Sequence, residues 1–238
     1  RVFRSINNSR SSFKDGFFNI VDRTTFPVAI LLPVSLFTYG RAYNKTYDEN
    51  SAYLLTIAEA ANLAFMMGTK LIIQRTRPRD ALKKVYTRVD GTVDKYSFPS
   101  GHTSTSMCAA AMFALRYPGY PLVYAPMFAW SVIIAYGRPY FGMHYPTDLF
   151  AGAFYGAGSA VLIYSLRKEF FKLKNNILNE EKEDKGSINS GVLSFFAGSF
   201  IASSVFNAVF HPNGSRVKLT ALPEIDKYGN NSLKLRIQ

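Results

Sequence analysis

Residues 149–166 read LFAGAFYGAGSAVLIYSL, eighteen residues without a charge. That approaches the ~20 apolar residues a helix needs to cross a bilayer. The stretch at 117–137 is equally free of charge, and four more apolar segments, at 25–40, 52–74, 102–116 and 190–210, repeat the pattern. The six together predict a mainly α fold, a bundle of about six apolar helices embedded in a membrane. The second segment carries Glu59, Asn62 and Lys70. Ionisable groups at such depth face a bundle interior or a water-filled site, and Glu59 and Lys70 are expected to do so. A mean hydropathy near zero leaves a soluble bundle of buried helices as the alternative.

The chain of 238 residues is long enough for one substantial core, and no internal repeat divides it. We expect one helical domain over 1–210 and a tail over 211–238. In the tail the pattern changes to alternation, VKLTAL and SLKLRI around YGNN, which predicts a small β-hairpin without chemistry of its own. Residues 167–186 read as a polar linker, because six Lys/Arg meet five Asp/Glu in 167–185 and such mixed runs are usually solvated. Cys108 is the only cysteine, so no disulfide or thiolate metal site is expected, and it reads as a small core residue. The chain begins at Arg1 rather than Met, and any signal peptide is expected to have been removed or left out.

A net charge of +12 suits an anionic substrate or an anionic membrane surface. Nucleic acid is the obvious rival. Its footprint would be one basic stripe, whereas here the basic residues divide among the N-terminus, residues 70–95 and the mixed run. No nucleic-acid partner is expected.

Three short segments hold most of the chemistry: KLIIQRTRP at 70–78, PSGH at 99–102 and RPYFGMHYPTD at 138–148. Two of the three histidines fall inside them. Lys70 and Arg77 are seven residues apart and share a face if the helix runs that far, while Pro78 biases Arg77 out of the helix toward a pocket edge. Ser100 can cap a helix whose free N–H groups bind an anion, and Gly101 permits close backbone approach. Arg138 is followed by Pro139, and His144 precedes Pro146, a good first residue for a helix containing Asp148. Asp148, four residues beyond His144, is placed to accept a hydrogen bond from one ring nitrogen and aim the other. Taken singly, each segment is also an ordinary basic helix end, helix start or satisfied histidine. The loop at 78–99 that joins the first two is long and charged, and long loops are often functional; it is expected to form a substrate-facing lid or rim. Tyr136, Tyr140, Phe141, Met143 and Tyr145 crowd the third segment, either as packing or as a wall that grips a lipid chain. Trp130 reads as a core or membrane-interface residue.

In combination, Lys70-x6-Arg77-Pro78, Pro99-Ser100-Gly101-His102 and Arg138-x5-His144-x3-Asp148 resemble the three-part signature of the type 2 phosphatidic acid phosphatase (PAP2) superfamily. The resemblance covers about 15–166 and departs at one position, where Gly137 replaces the serine that commonly precedes the arginine. It implies a metal-independent phosphatase without a cofactor. His144 would attack phosphorus, Asp148 would hold its tautomer, and His102 would protonate the leaving oxygen and then activate water. Lys70, Arg77, Ser100, the Gly101 N–H and Arg138 would cradle the phosphate. The substrate would be a phosphorylated lipid: phosphatidic acid, phosphatidylglycerol phosphate, a polyprenyl diphosphate or lipid A. The active site would open to the periplasm or outside of a bacterial envelope. The alternatives are a vanadium-dependent haloperoxidase, which shares the anion pocket, and a membrane lipid-binding protein without turnover.

Overall fold

A computed structural model describes residues 1–87, 95–185, 191–210, 219–225 and 231–237. A short helix α1 (Val2–Asn8) leads into α2 (Ser12–Ala42) and α3 (Thr46–Ile73), followed by a single turn α4 (Pro78–Ala81). The chain continues through α5 (Gly101–Arg116), α6 (Pro121–Tyr140), α7 (Pro146–Ser165), α8 (Arg167–Leu178) and α9 (Val192–Phe210), and ends in β1 (Leu219–Ile225) and β2 (Asn231–Ile237). The two strands pair antiparallel, Leu219 opposite Ile237, as the alternation in the tail predicts.

α2, α3, α5, α6, α7 and α9 alternate in direction, which gathers the starts of α2, α5 and α7 and the ends of α3, α6 and α9 at one end of the bundle. Contacts at both ends establish this. Asn207 donates to the Arg23 carbonyl and Tyr140 to the Asp15 carboxylate at one end, while Tyr39 stacks on Phe195 and the Tyr117 hydroxyl donates to Asp48 at the other. α2, α3 and α9 are each long and apolar enough to cross a membrane, and α7 with α8, bent by 65°, makes up a fourth candidate span.

α2 starts at Ser12, well before the apolar run at 25–40, because Lys14, Asp15, Asp22 and Arg23 hide its first turns from a hydropathy reading. The Ser11 hydroxyl caps it, accepting from the Lys14 N–H at 3.2 Å. Farther along, the Thr24 hydroxyl donates to the Val21 carbonyl and accepts from the Trp130 indole N–H at 3.0 Å. That bond fixes Trp130 in the core, as its residue type predicts, and Cys108 is likewise fully buried. Glu59 and Lys70 obey the rule for intramembrane charge: a Glu59 oxygen accepts from Asn62 at 3.4 Å within the bundle, and Lys70 is 2% exposed at the site end.

α5 and α7 pack backbone to backbone. A Cβ at Gly152 would lie 2.6 Å from the Ser100 carbonyl oxygen, and one at Gly156 would collide with the Ser104 carbonyl. Two glycines one turn apart thus let α7 touch the α5 backbone. This contact sets PSGH beside the start of α7.

The linker reading of 167–186 needs correcting. Residues 167–178 are helical, with Phe171 and Lys174 turned into the bundle. Lys174 donates to Glu49 at 2.9 Å and to Asn50 at 2.6 Å, and Arg116 forks onto Asp184 at 2.8 and 2.9 Å. Three of the mixed charges, Lys174, Lys182 and Asp184, are paired with buried partners on α3 and α5, which a count of charges does not reveal.

Candidate active site

The corner between α6 and α7 carries the third segment. Gly142 turns it at φ +69°, and a Cβ there would lie 2.6 Å from the Tyr86 carbonyl. The corner is pinned by the Arg79 N–H donating to the Gly142 carbonyl and the Met143 N–H to the Arg138 carbonyl, both at 3.0 Å. His144 is thereby held 1% exposed, two residues before the helix that Pro146 opens.

His144 Nδ1 lies 2.7 Å from the Ser97 carbonyl oxygen. A carbonyl only accepts, so Nδ1 carries the proton and Nε2 bears the lone pair. Nε2 faces Arg77, whose Nη1 lies 3.2 Å away. Asp148 Oδ2 is 3.6 Å from Nδ1, close enough for charge interaction but beyond a hydrogen bond. Its fully buried carboxylate instead accepts from the Tyr145 N–H at 2.8 Å and from Arg75 at 2.7 Å. The expected orienting bond therefore comes from the Ser97 backbone, because Asp148 also caps the first turn of α7.

α3 ends at Ile73, with Gln74 in the left-handed region at φ 50°, so Lys70 and Arg77 do not share a helical face. Both nevertheless reach the site. Lys70 Nζ donates to the Tyr96 carbonyl at 2.8 Å, and Arg77, 3% exposed in extended backbone, donates to the Met143 carbonyl at 3.1 Å. A Thr76–Tyr96 bridge and the Ser97 N–H bond to the Arg75 carbonyl at 2.8 Å draw residues 95–97 alongside 75–77. Of the expected lid, residues 88–94 lie outside the described residues, and 95–97 form a floor beneath His144.

Ser100 occupies the N-cap position of α5, but its hydroxyl contacts that of Thr103 at 3.0 Å rather than a backbone N–H. Its own N–H donates to the Asp148 carbonyl at 3.0 Å, which locks the second segment to the third. The bare Cα of Gly101 admits Met66, whose sulfur would be 3.3 Å from a Cβ. His102, in the first turn of α5, turns toward α2, where Phe26 meets its ring edge-on at 4.7 Å and Asp22 Oδ2 lies 3.7 Å from Nε2. Arg138, 3% exposed, donates to Asp22 Oδ1, and its Nε is buried without a hydrogen-bond partner among the described residues.

Burial, reinforced by Arg138, Arg77 and Lys70, holds the His144 imidazole well below its usual range. The same burial and cations lower His102, against which the Asp22 carboxylate raises it. The site is a nest of fixed positive charge around two neutral imidazoles, one with its lone pair facing the cations. Such an arrangement binds a tetrahedral oxyanion and can offer it a nucleophile. Among the described residues no three His, Cys, Asp or Glu side chains are grouped to hold a metal ion.

Four contributors escaped the sequence reading: Asp22, Arg75, Ser97 and Asn7. Asn7 of α1 donates to the Tyr86 and Tyr140 carbonyls at 3.1 and 2.9 Å and accepts from the Tyr86 N–H at 3.0 Å, strapping the rim loop to the end of α6. No local signal marks any of them. Of the aromatic cluster, Tyr140, Phe141 and Met143 are buried with Phe18 as packing, Tyr136 is 39% exposed, and Tyr145 lies under the Arg75 guanidinium at 4.1 Å.

Residues 51–172 match the profile of the PAP2 superfamily. The chain belongs to this superfamily. It is 32% identical over 128 residues to a lipid A 1-phosphatase of Rhizobium etli, and 28% identical over 138 residues to an undecaprenyl-diphosphatase of Sulfolobus acidocaldarius. These stretches take in 51% and 53% of the chain, and 53% and 65% of the relatives, so the chain spans less than two thirds of the length of either relative. The crystal structure of Aquifex aeolicus LpxE superposes with a TM-score of 0.58 at 24% identity, over 69% of this chain and 93% of that one. This PAP2 chain therefore shares the helical fold of that structure as well as the family. Asp22, which joins His102 to Arg138, lies outside the matched stretch.

Proposed function

We propose that this protein removes a phosphate from a membrane lipid, a monoester or diphosphate, through a phosphohistidine on His144 and without a metal ion. The observation that carries the reading is the lone pair of His144 Nε2 turned toward a buried cationic cradle, with its proton fixed on the other nitrogen by Ser97.

In the first step Nε2 attacks phosphorus while the bond to the leaving oxygen breaks. Lys70, Arg77 and Arg138 hold the three equatorial oxygens, together with the Ser100 hydroxyl and the Gly101 N–H. Arg77 exchanges its contact with Nε2 for one with phosphate, which frees the lone pair. The leaving oxygen takes a proton from His102, whose proton affinity rises when the phosphate anion enters. In the second step His102 accepts a proton from water, which displaces phosphate from Nε2; His144 is returned as the neutral imidazole and His102 in its protonated form. Asp148 steadies the imidazolium character of His144 from 3.6 Å. The fixed cations take the place a divalent ion holds in other phosphoryl-transfer sites.

A lipid substrate is supported by the surroundings of the cradle. Leu71, Ile72 and Ile73 at the end of α3 and Phe150 and Phe154 at the start of α7 are all exposed outward at the site end, where acyl or prenyl chains can lie against them. The names of the relatives, lipid A 1-phosphatase and undecaprenyl-diphosphatase, point to the same substrate class. An extracytoplasmic site is supported by α8 at the opposite end, where Lys168 and Lys172 stand exposed beside Leu173 and Ile177, the pattern of a helix on an anionic inner surface.

The test is phosphate release in EDTA from phosphatidic acid, phosphatidylglycerol phosphate, undecaprenyl diphosphate and lipid A, by the native chain and by His144→Ala. Release from at least one lipid by the native chain alone supports the reading. A strict need for a divalent ion overturns it.

A further inference from the structure

Four residues apart on α2, Asp22 and Phe26 both face His102. Asp22 uses its two oxygens differently: Oδ1 accepts from Arg138, which binds the phosphate in the reading above, and Oδ2 sits 3.7 Å from His102 Nε2. The carboxylate is largely buried, its side chain 13% exposed. Such a group is costly to keep in an apolar helix without a task. Pairing with Arg138 accounts for one oxygen only.

We propose that Asp22 is the positioning residue of the acid–base histidine, holding His102 Nε2 at the leaving-group side of the phosphate and stabilising its protonated form. The inference rests on the phosphatase reading and assigns His102 an acidic partner, as Asp148 is the acidic neighbour of His144. The site is then two histidine–carboxylate pairs with a cationic cradle between them.

The charges around His102 make the partner necessary. Lys70 from α3, Arg77 from the extended segment and Arg138 from α6 all disfavour a proton on its ring, and Asp22 from α2 is the group that favours it. Without Asp22, the three cations would keep His102 from holding the proton that it has to donate. Phe26 limits ring rotation from the other side, so the imidazole is held by one apolar and one anionic contact.

The experiment compares kcat/KM for two substrates in EDTA: dioctanoyl phosphatidic acid, whose alkoxide leaving group needs the proton, and p-nitrophenyl phosphate, whose phenolate does not. Phosphate binding is common to both and cancels in the ratio. Asp22→Asn is expected to lower the phosphatidate-to-nitrophenyl ratio by about tenfold or more, within the range general-acid catalysis supplies. His102→Gln should lower it in the same direction, and the double variant should fall no further. Asp22→Glu, which keeps the charge, should recover most of the ratio. Equal losses on both substrates would overturn the inference and assign Asp22 to Arg138 alone. If Asp22→Asn lacks a cooperative melt, Asp22→Ser is read against the same two outcomes. If the native chain hydrolyses only another of the four lipids named above, that lipid replaces phosphatidic acid in the ratio; no phosphate release from any of the four would overturn the phosphatase reading, and the inference would fall with it.

Discussion

The guanidinium of Arg77 stands 3.2 Å from Nε2 of His144, on the side opposite the Ser97 carbonyl that accepts the Nδ1 proton. A cation donating to a lone pair masks a nucleophile until an anion arrives to claim it. In the proposed reaction phosphate is that anion, and its binding would both unmask His144 and place phosphorus in front of it.

His144→Ala should therefore lower phosphate release by ~10³-fold or more, the scale of losing an attacking group. Alkaline detergent quench of the native chain with 32P-labelled substrate should trap a base-stable, acid-labile phosphoprotein, and the variant should show none. Label retained in His144→Ala would reject this nucleophile.

Asp148 is bound by Arg75 and by the Tyr145 N–H, so its two partners can be separated. Asp148→Asn should leave a residual rate, because Ser97 still holds the His144 tautomer. Arg75→Ala should cost about 1 kcal/mol of stability, since the arginine is partly exposed, and a smaller loss of kcat than Asp148→Asn. Melting temperature and kcat measured on both variants check the order.

Acid should destabilise the protein. His144 binds its proton less readily in the folded state than the free value of 6.5, so below that pH the unfolded chain gains a proton the folded chain refuses. Stability should fall as pH drops from about 7 to 5, and added vanadate or phosphate, an anion that offsets the cations, should lessen the fall. A melting temperature flat across that window would show that His144 is not held neutral by its surroundings.

Two glycines on α7 serve as a matched pair. Gly156→Ala places a Cβ against the Ser104 carbonyl, whereas nothing lies within 4 Å of a Cβ at Gly158. The first change should destabilise by roughly 1–3 kcal/mol and disturb the site through α5, and the second should be neutral or add up to ~1 kcal/mol of helix propensity. Thermal melts in detergent distinguish them.

Much of the design is legible in the chain itself. The uncharged runs announce apolar helices because a hydrocarbon environment admits little else, and the three motifs carry their residues in short segments whose spacing survives any packing. His102, His144, Lys70, Arg77 and Arg138 were named from those segments, and the structure brings them to one end of the bundle. The mixed run at 167–185 misled because charge composition is silent about who the partners are, and Lys174 and Arg116 find theirs on other helices.

What the sequence by itself determined is the class of fold and the short segments that carry the cations and two histidines, since both follow from local chemistry: apolar runs, prolines that start helices, cations at fixed short spacing. What only the tertiary structure decided is how those groups are aimed. Asp22 meets Arg138 across 116 residues, Arg75 meets Asp148 across 73, and Ser97 meets His144 across 47. Contacts so distant along the chain are set by helix packing, here by glycines that let α7 press on α5. Neither composition nor periodicity carries that information.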